Sequence, residues 1–314
     1  MTQVRLSYAY GTSSQPLLGM TIGEKFDQAC QQYADQDAVV SVHQNVRLSY
    51  KQLQDQVNAF ACSLLQLGLE KGDRIAIWSP NCVEWTITQF AAFKAGIILV
   101  NLNPAYKSSE LEYVLNKVSC KALVIAPQFK SSNYQEILTK IAPEITQSVD
   151  KLLSSQKLPH LKHIIKIDHE QHTGIHRFAD LLPQPTPAQL DQLHAIAADL
   201  QFDETINIQF ISGTTGNPKG TMLTHNNILN NGYFVGEAIH LTPQDRVCIS
   251  VPLFHCFGMV MGNLACITHG STMVYPSAVF NPLDSLKTIQ QEKCTAAYGV
   301  PTMFIAILEH ERFD

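Results

Sequence analysis

Ile208-Gln209-Phe210-Ile211-Ser212-Gly213-Thr214-Thr215-Gly216-Asn217-Pro218-Lys219-Gly220-Thr221 carries the densest chemical signal in the 314-residue chain. A β-branched, apolar run ends at Ser212, and the next positions collect glycines, hydroxyl side chains and one lysine. Such a loop can turn backbone N–H groups and hydroxyls toward phosphate oxygens while the lysine supplies a point charge. It is not a Walker A loop, because Pro218 stands where the second glycine of G-x-x-x-x-G-K-[ST] belongs. The bland alternative is a Gly/Ser/Thr-rich turn, which does not call for a Pro-Lys-Gly ending.

On either side of this loop, β-branched runs alternate with helical patterns. Strands are expected at 38–42, 74–79, 97–102, 122–126, 163–167, 206–212, 247–251, 272–275 and 296–300. Helices are expected at 50–67, 82–95, 110–118, 226–238, 257–269 and 282–292. Ser49 with Gln52 and Ser109 with Glu112 have capping-box spacing, Thr224 reads as an N-cap, and Gly68 and Gly96 fall where helices should stop. The alternation predicts an α/β fold of layered subdomains with mainly parallel sheets. Three stretches follow: a first α/β half at 10–143, a polar, proline- and histidine-rich surface excursion at 144–203, and a second half with the phosphate loop at 204–314.

Composition narrows the function. Apolar residues make up 45% of the chain and charged residues 16%, which excludes disorder and collagen. Twenty-two basic residues against 27 acidic ones give a net charge of −5, so nucleic acid is not an expected partner. No run is long enough for an integral membrane segment. The eight cysteines are scattered without a C-x-x-C pair and read as small core residues in a reducing compartment rather than a disulfide framework. The first twenty residues hold one basic side chain, Arg5, and no apolar core of a leader, so a cytoplasmic location is expected. His169-Glu170-Gln171-His172-Thr173-Gly174-Ile175-His176 invites a zinc reading, but the H-E-x-x-H order fails and Gly174 argues against a helix. A solvated loop is expected there, and no metal ligand is assigned.

Ser212-Gly213-Thr214-Thr215-Gly216-Asn217-Pro218-Lys219-Gly220 resembles the phosphate-binding signature of the AMP-forming acyl- and aryl-acid ligases, the adenylate-forming superfamily. Other segments match in that family's order: Arg47-Leu48-Ser49-Tyr50-Lys51-Gln52-Leu53, then Phe93 through Pro104, then Thr224-His225-Asn226-Asn227. Pro252-Leu253-Phe254-His255-Cys256-Phe257-Gly258 and Tyr298-Gly299-Val300-Pro301-Thr302 follow. The pattern is most similar to the medium-chain acyl-CoA synthetases, through Gly11-Thr12-Ser13, Asn103-Pro104-Ala105-Tyr106 and Asn207-Ile208-Gln209-Phe210.

The resemblance implies a two-step ligase. A carboxylate attacks the α-phosphate of MgATP to give acyl-AMP and pyrophosphate, and coenzyme A then displaces AMP as the thioester forms. It implies that Ser212, Gly213, Thr214, Thr215, Gly216 and Lys219 hold the β- and γ-phosphates, with Mg2+ neutralising further charge. It places His255 at the carboxylate and acyl site as the candidate catalytic residue, with Phe257, Gly258, Tyr298, Gly299, Val300 and Pro301 as pocket wall. Amino-acid-activating relatives carry an aspartate at the position of His255, so histidine followed by an apolar run favours a fatty acyl chain. A structural histidine is the competing reading for His255, and an apolar strand end for Val300. One position departs from the pattern: Ile211 stands where the family usually has threonine, which removes one hydroxyl and suits a strand end.

The family pattern continues beyond this chain with a Tyr-Gly-x-Thr-Glu motif, a Thr-Gly-Asp motif, a hinge and a small C-terminal domain bearing the adenylation lysine. The chain is therefore expected to be the N-terminal part of an acyl-CoA ligase of fatty acid metabolism, inactive alone, with an exposed apolar face near its C-terminus. The alternatives are an aryl-acid or luciferase-like enzyme, and a non-catalytic remnant that binds nucleotide or acyl groups.

Overall fold

The computed structural model describes residues 14–211 and 218–313. The chain opens with α1 (Ile22–Gln32), the hairpin β1 (Asp37–Ser41) and β2 (Val46–Ser49), and α2 (Tyr50–Gln66). Then come β3 (Arg74–Trp78), α3 (Val83–Lys94), β4 (Ile98–Asn101), α4 (Ser108–Lys117) and β5 (Ala122–Ile125). A small hairpin, β6 (Gln128–Phe129) and β7 (Ser132–Asn133), leads to α5 (Tyr134–Ile141), β8 (His163–Lys166), β9 (His176–Arg177) and α6 (Pro187–Asp199). The second part runs through β10 (Thr205–Ile211), β11 (Lys219–Thr224), α7 (His225–Ala238) and β12 (Arg246–Ile249). After a π-helix (Phe257–Leu264) it continues with α8 (Ala265–His269), β13 (Thr272–Tyr275), α9 (Pro282–Gln291), β14 (Ala296–Tyr298) and α10 (Pro301–Leu308).

Two large sheets result, in the orders β11-β10-β4-β3-β5-β8-β9 and β14-β12-β13-β1-β2. Parallel pairing dominates both; the antiparallel exceptions are the hairpins β10–β11 and β1–β2. The expected α/β class with mainly parallel sheets is the observed one. Side chains alternate across the seven-stranded sheet: Ile75, Ile77 and Leu99 enter one core, Ala76, Trp78 and Val100 the other. α3 lies in the core that also takes in Val39, Val247 and Tyr275 of the five-stranded sheet, and all its residues but Glu84 are buried. A helix buried all round must satisfy its polar side chains internally. Thr86 meets Tyr275, Gln89 meets Asn263, and Lys94, 1% exposed, meets Asp27 and Asn58.

Several expectations are corrected. The sheets interleave the stretches 10–143 and 204–314: β10 pairs with β4, and β13 with β1. The stretch 144–203 is more than a surface excursion, because β8 is buried along its whole length between β5 and β9, and α6 lies over α2, with Lys71 beyond α2 reaching Asp199. A complete capping box, Thr186 with Gln189, and Pro187 in the first turn start α6. α4 starts two residues earlier than Ser109 with Glu112 suggested, since Glu110 captures the Lys107 N–H at 2.8 Å. The Ser49 and Thr224 caps and the left-handed Gly68 and Gly96 are where the sequence placed them. Residues 257–269 are helical as expected, but their first eight form a π-helix.

The apolar face expected near the C-terminus is present. α10 has no buried residue, and Val300, Phe304, Ile305 and Leu308 are exposed along it beside the edge strand β14. Among the described residues, no helix is long and apolar enough to cross a membrane.

Candidate active site

Strand direction decides where chemistry can gather, because parallel strands present their carboxyl ends together and ligands bind in α/β folds at that edge. β10 runs through Asn207 and Gln209 to Ile211 and on toward Ser212, and Lys219 pairs with Ile211 as the antiparallel strand returns. Lys219 is exposed, and Ile211 is 54% exposed, so its methyl groups do not seal a core. Ser212, Gly213, Thr214, Thr215 and Gly216 lie outside the described residues. Thr224 then caps α7 through the Asn227 N–H at 3.1 Å.

β12 leads at its own carboxyl end into Pro252-Leu253-Phe254-His255-Cys256. His255 is exposed, and its Nδ1 accepts the Phe257 N–H at 3.2 Å. That bond leaves the proton on Nε2, the nitrogen free to face a ligand. Cys256 is the exception among the cysteines: it is exposed, with Sγ 3.5 Å from His255 Nδ1, whereas six others are buried and Cys294 is half-buried. Gly258 permits the turn, since a Cβ there would sit 2.4 Å from the Pro252 carbonyl oxygen.

β14 ends at Tyr298, and the Tyr298 and Phe257 rings meet edge to face with centroids 5.4 Å apart. The two segments expected to form the pocket wall are thus in contact. The Tyr298 hydroxyl and Gln209 Nε2 are buried with no hydrogen-bond partner among the described residues. Orphaned donors at this edge fit a site built to receive a polar ligand. Gly299 and Val300 are not a strand end. Val300 is the extended N-cap of α10, 39% exposed, because Pro301 in the first helical turn forces the residue before it out of the helical region.

The carboxyl ends of the two sheets are tied directly. Asn101, last in β4, lies opposite Gln209 in register and donates from Nδ2 to the Phe254 carbonyl at 3.0 Å. Asn81, beyond β3, donates to the Val251 carbonyl at 2.9 Å and accepts the Leu253 N–H at 2.8 Å, so its amide spans Pro252. Sequence reasoning missed both residues. The signal was available in hindsight as amide side chains just past β-branched runs, where solvation would have been the default reading.

The histidine cluster weighed for zinc separates into two pairs. His172 faces Asp168 at 2.8 Å and Lys166 at 2.8 Å, while His176 faces His163 at 3.3 Å. Burial holds the His163 and His176 imidazoles below their ordinary range, His176 down to about 4, with the His163 ring and Lys151 adding to the effect on His176, and Lys121 and Lys162 to that on His163. Among the described residues, no group of three or more His, Cys, Asp or Glu side chains is arranged to hold a metal ion.

Layered, mainly parallel α/β sheets whose carboxyl edges meet near the Lys219 hairpin and the His255 segment define an α/β domain with a ligand-binding edge. Comparison with known proteins makes the class specific. The AMP-binding enzyme family matches residues 26–314, and the chain belongs to that family. It is 42% identical over 313 residues to the mitochondrial medium-chain acyl-CoA ligase ACSF2 of Macaca fascicularis, covering 98% of this chain and 51% of the relative. The human protein of the same name is 41% identical over 313 residues. Among solved structures, the anthranilate CoA ligase AuaEII in complex with anthranoyl-AMP superposes with a TM-score of 0.79 at 25% identity, covering 95% of this chain and 53% of that one. The chain spans about half the length of the curated relatives it matches.

Proposed function

We propose that this chain is the N-terminal part of an AMP-forming acyl-CoA ligase that activates a fatty acid of medium length with ATP and transfers the acyl group to coenzyme A. Family membership and 42% identity to a medium-chain acyl-CoA ligase support the class. The observation that carries the reading is the meeting of the two carboxyl edges, where the hairpin bearing Lys219 and the segment bearing His255 are joined through Asn101 and Phe254.

In this reading Ser212, Gly213, Thr214, Thr215, Gly216 and Lys219 bind the β- and γ-phosphates. Lys219 supplies positive charge where negative charge grows as pyrophosphate departs. His255 Nε2–H points a donor at the carboxylate or the adenylate formed from it, its tautomer fixed by the Phe257 N–H. Phe257, Gly258, Tyr298, Gly299, Val300 and Pro301 wall the acyl group, and the Tyr298 hydroxyl offers one further hydrogen bond. The carboxylate oxygen bonds to the α-phosphorus as the bond to pyrophosphate breaks. The thiol sulfur of coenzyme A then bonds to the acyl carbon as AMP leaves, and the thiol proton passes to solvent.

Mg2+ enters this reading as the companion of ATP, and no step is assigned to it. We read the compartment as cytoplasmic from the free cysteines, while the mammalian relatives are named as mitochondrial; fractionation of cells expressing a tagged chain decides this.

The test is exchange of labelled pyrophosphate into ATP by the reading frame extended beyond Asp314, with octanoate, benzoate and leucine offered separately. Octanoate-dependent exchange is expected. Preference for benzoate would move the assignment to an aryl-acid ligase. Leucine-dependent exchange, or none with any acid, would refute the proposal.

A further inference from the structure

A buried chain of amides links the strand that enters the phosphate loop to the segment that carries His255. Asn207 in β10 is fully buried, and its Nδ2 donates both to the Leu99 carbonyl at 2.9 Å and to Asn101 Oδ1 at 3.0 Å. Asn101 is 3% exposed; with its oxygen so occupied, its Nδ2 faces the Phe254 carbonyl at 3.0 Å and the Met259 sulfur at 3.1 Å. The partners fix these orientations. Turning Asn207 over would set its oxygen against the Leu99 carbonyl, and turning Asn101 over would set its oxygen against the Phe254 carbonyl. Asn207 Oδ1 is left without a partner among the described residues, so the orientation is maintained even though one acceptor goes unmatched.

The far end of the relay is an irregular segment. Residues 251–256 carry no ladder hydrogen bonds of a strand, and the turn after them is a π-helix, a form that concentrates at functional sites. Side-chain amides do the holding: Asn81 grips Val251 and Leu253, Asn101 grips Phe254, and Gln89 donates to the Met259 carbonyl at 3.3 Å while accepting from Asn263 at 2.8 Å. His255 sits between the Phe254 and Met259 anchors, both of which Asn101 touches.

We propose that Asn101 is a positioning residue, aimed by Asn207, that sets the His255 segment in fixed register with β10 and hence with the phosphate hairpin. It rests on the ligase reading for its purpose. Asn101 donates on one side and accepts on the other, a polarity that leucine lacks and that ionised aspartate has only in part. Adenylation needs the carboxylate and the α-phosphorus brought together in a narrow geometry, and a misplacement of about 1 Å can reduce rate about a hundredfold.

The experiment has two arms. In the first, amide hydrogen exchange is followed by mass spectrometry on this chain and on Asn101→Asp, Asn207→Leu and Thr88→Val. Asn101→Asp retains the acceptor for Asn207 and loses the donor to Phe254; Asn207→Leu touches the His255 segment only through Asn101. Both should speed exchange across 251–259 by about tenfold, the effect of one buried hydrogen bond lost. Thr88→Val, whose lost bond stays within α3, should leave those residues unchanged. Equal exchange across 251–259 in wild type and in both asparagine variants overturns the proposal, as does a matching rise in Thr88→Val. If Asn101→Asp does not fold, Asn207→Leu decides alone.

In the second arm, octanoate adenylation by the extended reading frame is compared for wild type and Asn207→Leu. A lower kcat with an unchanged KM for ATP is the expected result; a raised KM with kcat intact contradicts a positioning role. Absence of turnover by the wild-type protein would sink the ligase reading, and the exchange arm would still decide the placement of the His255 segment.

Discussion

Acid should weaken this chain through one buried imidazole. His225 opens α7 with no solvent exposure, and its Nδ1 accepts the Ile22 N–H at 3.1 Å. The ring proton therefore sits on Nε2, which has no partner among the described residues. A second proton would have to occupy Nδ1, donor against donor, in a site where burial already penalises charge. Desolvation pushes the pKa down from 6.5 to about 4, with Glu204 opposing. The folded state thus binds this proton more weakly than the unfolded state does. The resulting stability is intact above about pH 6.5, falls as pH drops, and stops falling near pH 4. The gap between the two values corresponds to about 3 kcal/mol in full, of which about 2 kcal/mol should be lost by pH 5. Urea unfolding of wild type and His225→Asn at pH 7.5 and pH 5.0 measures this directly, since the asparagine oxygen can stand where Nδ1 accepts. The variant should start less stable, having lost the edge contact with Phe93, yet lose about 2 kcal/mol less over the interval. His163 and His176 titrate in both proteins and cancel in the difference, and among the carboxylates of the described residues Glu204 alone is coupled to His225. Parallel pH profiles would refute the reasoning.

Other expectations follow from particular contacts. Asp27→Ala should destabilise the chain by about 3 kcal/mol, because it strands the buried Lys94 ammonium that Asp27 holds at 2.6 Å, while Lys94→Met should be much milder; urea midpoints compare them. The exposed α10 face should bind an apolar dye and promote self-association, and Ile305→Glu with Leu308→Glu should reduce both, read by dye fluorescence and light scattering. Lys219→Ala in the extended protein should slow octanoate-dependent pyrophosphate exchange by about a hundredfold and leave the melting temperature within about a degree, since the side chain is exposed; equal loss of both would make it structural.

Strands such as Arg74–Trp78 and Ala122–Ile125 were legible because they are short, largely apolar runs buried on both faces of a parallel sheet. Helix ends were legible where chemistry is local, at Ser49, Thr224, Gly68 and Gly96. Helix α1 was missed although Thr21 and Glu24 form a capping box, because its polar face outweighs the short apolar stripe of Ile22, Phe26 and Ala29. The interleaving of the two sheets was not legible, since strand order is set by packing across the buried helix α3 rather than by any local pattern. At the site, motif order brought Phe257 and Tyr298 forward as wall residues, and they touch. The amides Asn81, Asn101 and Asn207 stayed invisible because an asparagine gains its role from which carbonyl it faces, a tertiary fact.

The central claim is tested most directly by thioester formation from octanoate, MgATP and coenzyme A, with the 314-residue chain measured beside the same reading frame extended past Asp314. The account predicts octanoyl-CoA from the extended protein and none from the shorter chain. Octanoyl-CoA made by the 314-residue chain alone would contradict the assignment of essential groups to the remainder of the ligase, and none from the extended protein would contradict the ligase assignment itself.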